Sequence, residues 1–296
     1  MSHDRSPTES LPTRRQFLYT GAAALAGAAG VGCDGYLESY RLQLKRIEIP
    51  LRRLPHEFDG FTIAQLSDFH YEEHFSAVPI RRSVELVNSL GPDLVVLTGD
   101  FVTAPLVNLK HHASRQAAKT AAPCAELLQH LRAPSGVFAV LGNHDAYANP
   151  AAVTSALQQH RITVLKNSCV PIERGQKRFW LAGIDDALEG EPDLGAAIQK
   201  IPSGENIILL AHEPDFADEA ALTPVDLQLS GHSHGGQIWI PGIGAPWLPP
   251  LARRYPRGLY KIEKTVLYTN IGIGTIRAPI RINCVPEVTL ITLRCV

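Results

Sequence analysis

Five short apolar runs in this chain stop on the same kind of residue, and that repetition limits what the chain can fold into. Phe61–Ser67 (FTIAQLS) runs into Asp68-Phe69-His70, and Leu94–Thr98 into Gly99-Asp100. Gly136–Leu141 runs into Gly142-Asn143-His144-Asp145, Asn206–Ala211 into His212, and Leu227–Ser230 into Gly231-His232-Ser233-His234. A short, almost continuously apolar run is the pattern of a strand covered on both faces. Helical periodicity lies between the runs, over Ile80–Leu90, about Ala113–Leu131 and Ala151–His160; the last follows Asn149-Pro150, a helix-start signal. Strands alternating with helices predict an α/β architecture in which helices cover sheets. The polar residues at the strand C-terminal ends then meet on one rim, where such folds place their chemistry.

Residues 34–57 read differently. From Tyr36 to Leu54 the apolar residues Leu42, Leu44, Ile47 and Ile49 alternate, which predicts an extended lead-in strand. The expected organisation is a leader over 1–33, a lead-in strand region over 34–57 and one catalytic domain over 58–296. With 296 residues, 45% of them hydrophobic, the chain can bury a sizeable core.

The residues at the strand ends share a chemistry. Five of the 12 histidines fall there, beside carboxylates and one carboxamide. Such donors suit borderline and hard divalent cations such as Mn, Fe and Zn. Asp68-x-His70 sets two donors close together as the chain leaves a strand, and Asp100 is a carboxylate able to bridge two cations. Gly99, Gly142 and Gly231 permit tight turns beside them. No C-x-x-C occurs among the five cysteines, which argues against a thiolate zinc site. Apart from Cys33 they could pair in an oxidising compartment or remain buried thiols. A net charge of −1 gives no sign of a nucleic-acid partner.

In the order D-x-H, G-D, G-N-H-D, H and G-H-x-H, the chain resembles the calcineurin-like metallophosphoesterase superfamily. The resemblance implies a four-layer αββα sandwich of two mixed β-sheets flanked by helices, with the metal site at strand C-terminal ends. It implies two divalent metal ions, one held by Asp68, His70 and His234 and the other by Asn143, His212 and His232, with Asp100 bridging. A hydroxide between them would attack phosphorus in line. His144 would protonate the leaving oxygen or stabilise its charge, and Asp145 would orient His144. His-Glu-Pro-Asp at 212–215 and the Asn270–Thr275 stretch, followed by Pro279-Ile280-Arg281, resemble an exported bacterial branch of phosphodiesterases.

The leader carries the export reading. Thr13-Arg14-Arg15-Gln16-Phe17-Leu18 precedes a mildly apolar run from Gly21 to Gly32, which resembles a twin-arginine signal. Such a signal would engage the twin-arginine export machinery. It places the protein in the periplasm, in the cell wall or on the outer face of the cytoplasmic membrane. Cleavage near Ala24–Ala28, lipidation at Cys33 and retention as an anchor all stay open. The expected substrate is a phosphoester, of lipid or cell-envelope origin if the membrane surface is the workplace. Two other readings are an enzyme like UDP-diacylglucosamine pyrophosphohydrolase and a metal-binding scaffold without catalysis. The scaffold would show a damaged donor set, and this one is complete.

Other residues admit two readings each. His74 could reach the rim or sit in a solvated loop, and His111-His112 read as surface. Arg253, Arg254 and Arg257 lie in the Pro/Gly-rich stretch Pro241–Gly258, near Trp239, Trp247, Leu248 and Leu251. They could meet an anion or a lipid headgroup, or simply be solvated. Gly272 and Gly274 read as turn residues.

Overall fold

The computed structural model describes residues 13–104 and 116–296. Two six-stranded sheets pack face to face. The first has the order β1 (Gln43–Leu51), β12 (Glu287–Cys295), β2 (Thr62–Leu66), β3 (Leu94–Leu97), β4 (Val137–Ala139), β5 (Thr163–Val164). All its pairs are parallel except β12 with β2. The second has the order β10 (Gly258–Ile262), β11 (Thr265–Thr269), β9 (Leu227–Ser230), β8 (Ile207–Leu210), β7 (Lys177–Gly183), β6 (Ser168–Arg174). Here the two outer pairs are antiparallel and the inner ones parallel.

Alternation along single strands builds the layers. In β3, Leu94 and Val96 point into the core between the sheets, beside Ile208 and Leu210 of β8. Val95 and Leu97 point the other way. They meet Ile80, Val84 and Val87 of α2 (Ala77–Leu90), Leu128 of α3 (Ala121–Leu128), Ala148 of α4 (Asn143–Ala148), and Val153 and Leu157 of α5 (Pro150–Gln159). The opposite faces of β7 and β8 supply Ala182, Ile207 and Leu209 to a third core. That core is closed by Ala197 of α6 (Leu194–Ile198) and Ala220 of α7 (Ala217–Ala220). Helix, sheet, sheet and helix therefore follow one another, the expected αββα sandwich. At roughly 1.5–3 kcal/mol for each fully buried Val, Leu or Ile, the doubly covered strands carry much of the stabilisation.

Two expected elements differ. The segment from Tyr36 is not extended at its start: helix α1 (Arg14–Glu38) runs through it, opened by a Thr13–Gln16 capping box. The Leu42–Ile49 alternation belongs to β1, which pairs along its whole length with β12. The helix expected over 113–131 is helical at 116–118, turns at Lys119-Thr120 and restarts as α3; residues 113–115 lie outside those described. Pro123 explains the break. A continuous helix would drive its ring into the carbonyl four residues back, whereas the first turn of a new helix accepts it. α5 begins as read: Asn149 caps Ala152 N–H and Pro150 takes the first position. Among the described residues no helix is long and apolar enough to cross a membrane. All five cysteines are free; Cys124 and Cys284 are buried.

Candidate metal centre

The strands β2, β3, β4, β8 and β9 end on one rim, and the turns that follow them are stitched together. Asp68 N–H donates to Gly99 O and His70 N–H to Asp100 O, both at 3.0 Å. Both oxygens of Asp68 accept from His232 N–H at 3.0 Å, and Asp100 Oδ1 accepts from His144 N–H at 3.0 Å. Gln65 Nε2 donates across the sheets to Ser230 O at 2.9 Å, joining β2 to β9 just below the rim. Of the seven expected ligands, Asp68, His70, Asp100, His232 and His234 hold φ between 42° and 67°. Non-glycine residues rarely adopt this left-handed conformation. It costs about 1–3 kcal/mol each in sparsely populated cases and persists where the surroundings over-determine it, often at functional sites. Gly99 (φ 99°) has no room for a side chain: a Cβ there would lie 2.6 Å from His212 Nδ1 and 2.7 Å from Gly142 N. A Cβ on Gly142 would collide with Asp100 Oδ1.

The structure brings six of the seven expected ligands, all but Asn143, together in two overlapping groups. In the first, His234 Nε2 lies 3.2 Å from Asp68 Oδ1 and 3.0 Å from His70 Nε2, and His70 Nε2 lies 3.3 Å from Asp100 Oδ2. In the second, His212 Nε2 lies 3.3 Å from the same Asp100 Oδ2 and 3.2 Å from His232 Nδ1. All are buried. One carboxylate oxygen faces both groups, as a bridging ligand must. Asn143, the residue before His144, has its Oδ1 buried with no hydrogen-bond partner among the described residues. An orphaned buried acceptor, close imidazole nitrogens and carboxylate oxygens make a donor set that fits divalent cations.

Charge at the centre follows from burial and crowding. Burial pushes the Asp100 carboxyl up, but His212, His144 and His70 together hold it well below the usual carboxylate range. Asp68 is likewise pushed up by burial and brought down further by His234 and His212. Burial opposes a charge on His212, yet Asp100 outweighs it and raises His212 well above the ordinary histidine value. Burial and the neighbouring His212 lower His232 to about 3. His212 Nδ1 donates to Thr98 O at 2.6 Å and His232 Nε2 to Pro250 O at 2.9 Å. Both rings are thereby fixed with the other nitrogen turned inward.

His144 stands against this centre, its ring 4.7 Å from that of His70 and perpendicular to it. Asp145, expected to orient it, makes no hydrogen bond to its ring. The Asp145 carboxylate instead accepts three backbone N–H groups, from Phe101, Val102 and Gly142, and so ties the β3 and β4 turns together. Burial and Asp100 push its pKa up to about 8, against those donors. The orienting part falls to a backbone group. Ala104 N–H donates to His144 Nδ1 at 3.0 Å, which leaves the proton on Nε2.

The sequence reading also missed the support beneath Asp68 and His234. Ile273 N–H and Gly274 N–H donate to Ser67 O and Asp68 O at 2.9 and 2.7 Å, and a Cβ on Gly272 would lie 2.6 Å from Asp68 Cβ. Gly272 and Gly274 are thus close-packing positions as well as turn residues. Arg281 is fully buried and donates to the carbonyls of Ile271, Gly274 and Cys284, which pins the same loop. In the sequence Arg281 was visible only as part of a Gly-rich ending. His74 is exposed and outside the centre, and His111-His112 lie outside the described residues. Asp215 of the His-Glu-Pro-Asp run accepts N–H groups of Arg253, Arg254 and Tyr255, which anchors the Pro-rich loop beside His232.

Comparison with known proteins agrees with this geometry. The pattern of the calcineurin-like phosphoesterase family matches residues 61–236. The chain is 35% identical over 289 residues to the uncharacterized metallophosphoesterase YkuE of Bacillus subtilis (strain 168), covering 95% of this chain and 98% of that one. It is 32% identical over 288 residues to the phosphodiesterase YaeI of Escherichia coli (strain K12), covering 95% and 99%. A transmembrane protein with metallophosphoesterase domain from Danio rerio is 33% identical over 263 residues, covering 84% of this chain and 56% of its own length.

Proposed function

The chain belongs to the calcineurin-like phosphoesterase family, and on that premise we propose that it is a phosphodiesterase working with two divalent cations, Mn, Fe or Zn. Asp68, His70 and His234 would hold one cation, Asn143, His212 and His232 the other, and Asp100 both. Bound there, the pair would supply an acidified water as nucleophile and positive charge against the phosphoryl oxygens. His144 offers its Nε2 proton to the leaving oxygen, held in that tautomer by Ala104 N–H. The perpendicular contact with His70 keeps the ring at the edge of the donor cluster. Preference for a diester is drawn from the likeness to a protein named as a phosphodiesterase.

The observation that carries two cations rather than one is the pair of donor groups sharing Asp100 Oδ2, together with the unpartnered Asn143 Oδ1. The test is metal content by plasma mass spectrometry alongside hydrolysis of bis-p-nitrophenyl phosphate. Two equivalents of metal and turnover are expected. One equivalent at saturation, or no turnover with any of the three metals, overturns the reading.

Export by the twin-arginine route, to the periplasm, the wall or the outer face of the cytoplasmic membrane, belongs to the same proposal. Its support is the sequence of the leader and the exposure of Arg14 and Arg15 in the first turn of α1. Replacing both by lysine is expected to leave the protein in the cytoplasm. Unchanged fractionation refutes this part without touching the chemistry.

A further inference from the structure

Charge is unevenly spread along this chain. Between Gly236 and Pro286 there are seven Lys or Arg residues, of which Arg281 is buried and Arg254 pairs with Asp218, and one acidic residue, Glu263, although the whole chain is net −1. The same stretch exposes Ile238, Ile240, Ile243, Trp247 and Leu251, with Ile243 at 78% and Trp247 at 58%. Ile243 stands in a tight turn closed by paired backbone hydrogen bonds between Ile240 and Gly244. Arg257 lies 3.5 Å over the Trp239 ring and Arg277 5.9 Å from that of Trp247. Apolar side chains clustered in this way mark an interaction surface. Among the described residues, Arg253 and Arg277 form no ion pair within the protein.

This surface is built onto the metal centre. His232 donates to Pro250 O, and Gly236, two residues past His234, has no room for a side chain because Trp247 O would lie 2.9 Å from it. The foot of α1 rests on the same support. Trp239 N–H donates to Ile282 O at 2.8 Å, and Arg281 N–H donates to Gly35 O at 2.9 Å. The Glu38 carboxylate accepts from Cys284 N–H at 2.7 Å, and a Cβ on Gly35 would lie 2.7 Å from Ile280. Gly35–Ser39 is thus part of the folded body. Above it α1 exposes Phe17, Leu18, Leu25 and Val31 with nothing packed on them among the described residues.

We propose that this basic, apolar face seats on an anionic phospholipid surface, so that the metal centre opens onto the headgroup layer and takes phosphodiesters presented there. The inference rests on the phosphodiesterase reading for its substrate class. Tryptophan and isoleucine enter the boundary between headgroups and acyl chains, while arginine keeps its guanidinium in the phosphate layer. Each basic residue near an anionic leaflet favours binding about fivefold. A second copy of the chain is a poorer occupant, because a two-fold interface would set Arg253 and Arg277 against their own kind.

The test is flotation of the full chain with phosphatidylcholine vesicles, with and without phosphatidylglycerol, and hydrolysis of soluble bis-p-nitrophenyl phosphate measured separately. The wild type is expected to float with the anionic vesicles in a salt-sensitive way. Ile243→Asp/Trp247→Asp and Arg253→Glu/Arg277→Glu are each expected to lower the bound fraction by about tenfold or more with soluble turnover unchanged. A Phe17→Asp/Leu25→Asp variant separates the part played by α1. Equal binding to neutral vesicles, flotation of the loop variants like wild type, or loss of soluble turnover in step with binding overturns the proposal. So does concentration-dependent dimerisation of the wild type that Trp247→Asp abolishes. A protein that floats as expected but hydrolyses no diester overturns the phosphodiesterase reading and leaves the docking surface standing.

Discussion

The two halves of the proposed metal centre are positioned by different physics. In the half made by Asn143, His212 and His232, the imidazoles are aimed by backbone carbonyls: Thr98 O holds His212 and Pro250 O holds His232. His212 and Asn143 keep ordinary backbone conformations, and His232 (φ 67°) alone in this half is left-handed. In the half made by Asp68, His70 and His234, all three residues take left-handed φ, and among the described residues no carbonyl holds either ring. His70 Nδ1 has only the Thr103 hydroxyl at 3.3 Å, and His234 Nδ1 faces the Arg281 guanidinium at 3.5 Å. Arginine can only donate, so this is a long contact from the loop's own guanidinium rather than from a carbonyl. One half is aimed by hydrogen bonds behind the ligands, the other by strained turns that the Ile271–Cys284 loop holds in shape. The second kind of support is distributed, so it can be weakened from a distance.

Asp100 is common to both halves, and removing it gives the largest effect. Asp100→Ala is expected to release both equivalents of metal and lower turnover by about 10³-fold or more, given the several kcal/mol such charge stabilisation supplies. Retention of one tight equivalent would show that the halves are independent and that the carboxylate serves only one of them. His144→Ala is expected next. It should keep both equivalents and lose about 10²- to 10³-fold in kcat, least for substrates with good leaving groups. Metal loss in that variant would move His144 from proton donor to ligand.

Arg281→Met tests the contrast itself. It removes donors from the Ile271, Gly274 and Cys284 carbonyls and frees the loop under Asp68. Chelator competition is expected to show one equivalent weakened by about 10- to 100-fold and the other unchanged, the range typical of groups that orient ligands. A thermal melt of the variant confirms that the protein remains folded. Equal weakening of both equivalents would erase the distinction between the halves.

The same contrast explains what was legible in the sequence. The donors were readable because each follows an apolar strand directly, and a strand end fixes where the next two or three residues go. Leu94–Leu97 and Ile207–Leu210 could be placed from composition alone, covered on both faces. The left-handed turns were not readable, because Asp68 and His70 carry no local signal for φ above zero; the stitching of neighbouring turns imposes it. Ala104 was invisible as the partner of His144, since a backbone N–H leaves no mark on side-chain identity, and Asp145 stood in its place by proximity in sequence. Tyr36–Glu38 read as strand because apolar alternation further on masked a helix whose end is fixed by Gly35 and Glu38 touching residues almost 250 positions away.

His144 joins the two halves: its backbone N–H bonds Asp100, its neighbour is Asn143, and its ring lies against His70. Burial, with His70 adding to it and Asp100 partly offsetting it, lowers its pKa to about 4. The sign follows directly. The ring is neutral everywhere above that value, and bound cations would depress it further. A rate that needed an imidazolium would therefore fall about tenfold per pH unit from the acid side upward. A rate that needs only the Nε2–H hydrogen bond would show no such limb, because the neutral tautomer fixed by Ala104 already carries that proton. Between about pH 5.5 and 8, kcat for wild type is expected to show no descending limb near the ordinary histidine value of about 6.5, and His144→Ala is expected to run parallel below it. A descending limb present in wild type and absent in His144→Ala would make His144 a charged acid. The strained half of the centre would then have to tolerate an imidazolium 4.7 Å from His70, which the burial of both rings opposes.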